Sequence, residues 1–211
     1  MNRIKAVLFD MDGTLGDTTP VVVQALQETF SRYTGRDYSH DEICMMFGPS
    51  EEGVIGRRVR QDDYPSALSL YLRRYHELHG RETFPGAVEL LAWLHSRGIR
   101  TAIVTGKGQG TMDISMERMG LTGVIDRVEV GTAAGAEKDA AMLRILNEWG
   151  IAPENAAYVG DAAYDMQAAT AAGVQPLGAG WAETTMIKEG QDYPFFHSFA
   201  ELKAWLAERI V

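Results

Sequence analysis

The sequence predicts an α/β protein, a doubly wound parallel sheet interrupted after its first strand by an all-helical insertion. Three observations carry that prediction. Short apolar runs that read as strands buried on both faces alternate with amphipathic helical segments, which implies βαβ units. Each of the clearest runs ends in polar residues: Asp10 and Asp12, Thr105 and Lys107, Asp161 and Asp165. Between Leu15 and Thr83 no strand-like run occurs at all. Crossovers between parallel strands are right-handed, which winds the helices over both faces of the sheet.

Taken in order, Val7-Leu8-Phe9 is the first strand, and Asp10-Met11-Asp12-Gly13-Thr14 follows at once. Thr19-Pro20 starts a helix, with proline at the first helical position. Val22, Ala25, Leu26, Thr29, Phe30 and Tyr33 then recur at helical spacing until Gly35. Further helices are expected over His40–Phe47, Glu51–Val59 and Ser66–His79, with a break at Gly48-Pro49-Ser50. After Phe84-Pro85-Gly86, the spacing of Val88, Leu91 and Leu94 gives an amphipathic helix that Gly98 ends. The strand Thr101–Val104 leads into Thr105-Gly106-Lys107-Gly108 and a helix over Gln109–Met119. Val128–Val130 is a strand, Lys138–Trp149 a helix closed by Gly150, and Ala156–Val159 a strand running into Gly160-Asp161. A helix over Tyr164–Ala172, a strand at Val174–Leu177 and a C-terminal helix bearing Leu202, Trp205, Leu206 and Ile210 complete the chain.

The 211 residues are 45% hydrophobic and 23% charged, enough for a large core in one domain or a domain with a small insertion. A net charge of −9 argues against nucleic acid or an anionic membrane as partner, because both reward positive surface. The single cysteine, Cys44, excludes an internal disulfide framework and suits a reducing compartment. No stretch approaches the ~20 apolar residues that span a bilayer, and the N-terminus shows no signal-peptide pattern. A cytoplasmic protein is expected.

In open α/β sheets ligands bind beyond the carboxyl ends of the strands. There the sequence assembles Asp10, Asp12, Thr105, Lys107, Lys138, Asp161 and Asp165. Clustered carboxylates without His or Cys call for a hard cation with oxygen ligands, best Mg2+, and Mg2+ is a natural partner for phosphate. Single residues keep plainer readings. Asp165 reads equally as a carboxylate capping a helix start, Thr105 as a strand-end turn residue, and Lys107 as a surface lysine.

These residues carry a resemblance. Asp10-Met11-Asp12-Gly13-Thr14, Thr105 after the next core strand, Lys138 opening a helix, and Gly160-Asp161 with Asp165 stand in the order and context of the four motifs of haloacid-dehalogenase-superfamily phosphatases. Pro85-Gly86 matches the entry to that family's second core helix, and the insertion resembles the helical cap of its phosphoglycolate-phosphatase-like branch. The resemblance implies a Rossmann-like core over residues 1–15 and 83–211 and a cap over 16–82. It implies Asp10 as the nucleophile forming an aspartyl-phosphate, with Asp12 as acid and base. Thr105 and Lys138 would hold the phosphoryl oxygens. It further implies Mg2+ held by Asp10, Asp161 and the backbone carbonyl of Asp12, with Asp165 in an outer shell.

Within that family the insertion lacks any lysine for a Schiff base, so phosphonate hydrolysis fails. Val21-Val22-Val23 stands where a sugar-phosphate mutase usually carries a histidine, and Asp12 separates the chain from dehalogenases. Hydrolysis of a small phosphorylated metabolite is favoured. A mutase, an inorganic pyrophosphatase and a non-catalytic phosphate-binding domain are the alternatives. Substrate contacts are expected from Thr105, Gly106, Lys107 and, in the cap, Arg57 and Arg58. Met45-Met46-Phe47 is expected in the core, Arg73, Arg74, His76 and His79 on the outside of the last cap helix, and Gly16 and Gly80 at the hinges.

Overall fold

The five strands expected from the apolar runs pair, with a sixth at one edge, into one parallel sheet. A computed structural model describes residues 3–81 and 83–210, so the insertion boundary expected at Glu82 lies outside the described residues. The strands are β1 (Ala6–Phe9), β2 (Arg100–Val104), β3 (Arg127–Glu129), β4 (Ala156–Gly160), β5 (Gln175–Ala179) and β6 (Phe195–Phe196), in the order β3-β2-β1-β4-β5-β6. Strand β6 is too short to show a pattern in the sequence and is added at the edge, parallel to β5. From β1 the chain winds outward through β2 and β3, then returns to the other side of β1 as β4. The order therefore reverses between β1 and β4, and a ligand crevice opens at such a switch point.

Alternation along the strands sends side chains into two cores. Val7 and Phe9 face one, with Ile103, Val159 and Leu177, beneath α5 (Ala87–Ser96), α6 (Gln109–Arg118) and α9 (Phe199–Ala207). Ala6 and Leu8 face the other, with Ala102, Val104 and Tyr158, under α7 (Lys138–Trp149) and α8 (Ala163–Ala171).

The insertion has its own core. Helices α1 (Thr19–Thr34), α2 (His40–Cys44), α3 (Glu51–Gly56) and α4 (Tyr64–Leu78) bury Leu26, Phe30, Ile43, Ile55, Tyr71 and Tyr75 together. Its two connections run side by side, the amide of Phe84 donating to the carbonyl of Leu15 at 3.0 Å. The insertion is seated on the sheet domain. Ser50 N donates to Thr132 O at 2.9 Å, and a Cβ on Gly53 would meet Ala133 O at 2.5 Å. The Tyr75 hydroxyl and a ring nitrogen of His79 meet Ser115 Oγ of α6 at 2.8 and 3.0 Å.

Three local expectations are corrected. Helix α2 stops at Cys44 rather than Phe47, held at its start by a capping box between Ser39 and Glu42. Met45 and Phe47 thereby leave the helix and are exposed rather than core. His79 faces inward and is buried, because it lies past the end of α4 and turns onto Ser115. Among the described residues no helix is long and apolar enough to cross a membrane.

Burial of Leu8 between the sheet and α7–α8 gives a direct stability prediction. Urea denaturation of Leu8→Ala should show a loss of about 2–5 kcal/mol, the range for a large-to-small change in a packed core. The half-exposed Leu143 on α7 should lose well under about 1 kcal/mol when changed to Ala.

Candidate active site

Strand β1 ends at Phe9, and the next residue, Asp10, is fixed by its own amide donating to Val159 O at 2.9 Å. Strand β4 ends beside it and delivers Asp161, while the first turn of α8 delivers Asp165. Each of these three buried carboxylates offers one oxygen, and the three oxygens lie within 4.8 Å of one another. Gly13 makes the approach possible. It has φ +72°, and a Cβ there would overlap the Asp161 carboxylate, so only glycine serves both the turn and the contact.

Lys138 opens α7 and points its ammonium into this cluster, 2.9 Å from Asp10 Oδ2 and 2.6 Å from Asp165 Oδ1. Burial lowers its pKa, but Asp10 and Asp165 outweigh that and hold it above the ordinary lysine value. The other oxygen of Asp165 accepts the Ala162 amide at 3.0 Å. Asp165 therefore caps α8, as one of its sequence readings had it, and anchors Lys138 at once. The Tyr158 hydroxyl adds a bond to Val104 O at 2.7 Å and one to Asp165 Oδ1 at 3.3 Å.

One lysine cannot balance three carboxylates. Burial, followed by the neighbouring Asp165 and Asp12 and opposed by Lys138, pushes Asp10 up to about 6. Burial and then Asp10 and Asp165 push Asp161 up to about 8. Asp10 Oδ1 is buried without a hydrogen-bond partner among the described residues. A buried acceptor left unpaired costs about 1–3 kcal/mol, more when charged. Raised proton affinity and an orphan oxygen in an all-carboxylate pocket fit a hard divalent cation.

Asp12 stands apart from this cluster. Its side chain is 27% exposed, and its Oδ1 takes the Thr18 hydroxyl and, at 3.0 Å, the ammonium of Lys107. Lys107 is wholly buried, which overturns its reading as a surface lysine. It lies 4.7 Å from the centre of the Tyr75 ring and 3.5 Å from Glu51 Oε1 of α3. Thr105 is buried directly after β2, with Oγ1 accepting the Lys107 amide at 3.3 Å. Gly131 lets its strand end approach the Gly106 carbonyl, which a Cβ at 131 would overlap.

The two cap arginines are not brought to the carboxylates. Arg57 donates to Ala133 O at 2.9 Å on the seam between insertion and sheet domain, and Arg58, just past the end of α3, turns back to Val54 O at 3.4 Å. Sequence reasoning missed Glu51, Thr18 and Tyr158. Glu51 follows a helix-breaking Gly-Pro-Ser and reads as an ordinary acidic first turn, while Tyr158 reads only as strand core.

The family model of the haloacid dehalogenase-like hydrolases matches residues 7–179. A phosphoglycolate phosphatase from Rhodospirillum rubrum is 31% identical, covering 96% of this chain and 90% of the relative. A pyrophosphatase, PpaX, from Bacillus pumilus is 27% identical over 91% of this chain and 92% of its own. In fold, the chain is similar to CbbY from Rhodobacter sphaeroides, solved as a mutant with xylulose 1,5-bisphosphate. That likeness has a TM-score of 0.79 at 23% identity, over 94% of this chain and 96% of that one.

The raised carboxylates make stability depend on pH with a definite sign. Both folded values, about 6 and about 8, lie above the ordinary 3.8, so without a cation the folded chain binds more protons across that window. Stability then falls as pH rises. Thermal melts in EDTA at about pH 5.5 and about pH 8.5 should show wild type losing more on alkalinisation than Asp161→Asn. Equal losses would contradict a buried, unneutralised Asp161.

Proposed function

The chain belongs to the haloacid dehalogenase-like hydrolase family, and we propose that it is a Mg2+-dependent phosphatase acting on a small phosphomonoester through an aspartyl-phosphate on Asp10. The observation that carries this reading is the Asp10–Asp161–Asp165 cluster, flanked by Lys138, with one Asp10 oxygen left unpartnered. Its residues fit Mg2+: Asp10 and Asp161 would hold the ion by carboxylate and Asp12 by its backbone carbonyl, with Asp165 outside them. When bound, the ion supplies the positive charge that a carboxylate needs to meet a phosphate dianion.

The remaining work falls to the chain itself. Asp10 attacks phosphorus as the ester oxygen leaves, which splits one hard displacement into two. Asp12, more exposed than Asp10 and steadied by Thr18 and Lys107, gives its proton to the leaving oxygen. It then takes a proton from the water that releases phosphate. Thr105 and Lys138 hold phosphoryl oxygens, the lysine as a point charge already directed at Asp10. The helical insertion, residues 16–82, acts as a cap hinged near Gly16 and Gly80, and closing it excludes water and selects the substrate. One cysteine and the lack of a membrane-crossing helix among the described residues fit a cytoplasmic metabolite as substrate.

Hydrolysis of p-nitrophenyl phosphate tests the proposal. Wild type should turn over with Mg2+ and lose activity in EDTA, and Asp10→Asn should fall by at least about a thousandfold. Asp12→Asn should retain substrate binding and lose most of kcat. Wild-type rates in Asp10→Asn would refute the nucleophile.

A further inference from the structure

The seam between insertion and sheet domain holds a second ionic cluster, built around a carboxylate from the cap. Glu51 Oε2 accepts the Gly108 amide at 2.6 Å, and Oε1 accepts the Thr111 hydroxyl at 2.9 Å. Gly108 is the N-cap of α6, so helix start and hydroxyl form a seat suited to an anion, and the chain's own glutamate occupies it. Lys107 spans from this glutamate to Asp12, at 3.5 and 3.0 Å.

If Asp12 protonates the leaving oxygen, any substituent on the leaving group lies beside Asp12 and Lys107. A second anion there needs a free cation. Lys107 offers none, because Glu51 meets its single charge even while Asp12 carries the proton it donates. Its side chain has no exposed surface, so it cannot turn to a ligand without giving up both partners. Arg57 and Arg58 are engaged with backbone carbonyls. Glu52 adds further negative charge, its carboxylate packed against Gly108 with Oε2 buried and unpartnered.

We propose that Glu51 is a specificity-determining residue. By holding Lys107, it selects phosphomonoesters whose leaving group is an uncharged hydroxyl compound and rejects those whose leaving group carries a carboxylate or a second phosphate. The proposal rests on the phosphatase reading and narrows its substrate class. Replacing Glu51 by glutamine keeps an oxygen acceptor for the Gly108 amide, turns an amide NH2 toward the Thr111 hydroxyl, which can accept from it, and removes the charge that holds Lys107.

2-Phosphoglycolate and its amide differ mainly in the charge of the carboxyl group and separate the two cases. Wild type should favour the amide in kcat/KM by at least about tenfold, since like-charge juxtaposition is strongly unfavourable in a confined site. Glu51→Gln should move that ratio toward the acid by at least about tenfold. Wild-type preference for the acid overturns the proposal without any variant, as does an unchanged ratio in folded Glu51→Gln. Calorimetric binding of the two esters reads the same preference independently of turnover. Failure to hydrolyse either ester or p-nitrophenyl phosphate would therefore count against the phosphatase reading alone.

Discussion

Three buried carboxylates, two at the ends of neighbouring strands and one on the first turn of α8, are the constraint on which the rest of this molecule depends. At about 5 Å and an effective dielectric near 20, each charged pair repels by roughly 3–4 kcal/mol. Lys138 offsets part of this, and protons or a cation must supply the remainder. The upward pressure on Asp10 and Asp161 and the unpartnered oxygen of Asp10 express the same imbalance. The surrounding fold enforces the crowding. Parallel pairing of β1 with β4 sets the two strand ends side by side, Gly13 removes the side chain that would hold them apart, and Asp165 is tied down by both α8 and Lys138.

A second balance operates on the other side of Asp12. Lys107, Glu51 and the start of α6 join the helical insertion to the sheet domain through charge, while Gly53 joins them through close backbone packing. The two clusters meet at the Asp10-Met11-Asp12 turn. One side is short of positive charge and suits a cation and a phosphate. On the other, the one lysine is already held by carboxylates, which under the proposal above suits a leaving group without charge of its own.

Much of this was legible in the sequence because its signals are local. Val7-Leu8-Phe9 and Ala156–Val159 are too apolar to be anything but buried strands, and Asp10, Thr105, Lys138 and Asp161 follow directly on strand ends or begin a helix. The parts that were not legible depend on contacts between distant residues. Nothing near Lys107 in the chain shows that Glu51, Asp12 and Tyr75 converge on it, so it read as a surface residue. Nothing near Arg57 and Arg58 in the chain shows that one donates to Ala133 O across the seam and the other to Val54 O within the insertion. Strand β6 has two residues and exists because β5 offers it an edge.

The central claim, that Asp10 carries the phosphoryl group between two steps, is tested most directly by acid quench during turnover followed by peptide mass mapping. One phosphoryl group is expected on the peptide containing Asp10, labile to hydroxylamine, present with Mg2+ and absent in EDTA. Phosphate release with no modified peptide at any quench time, or a phosphoryl group on another residue, would contradict it.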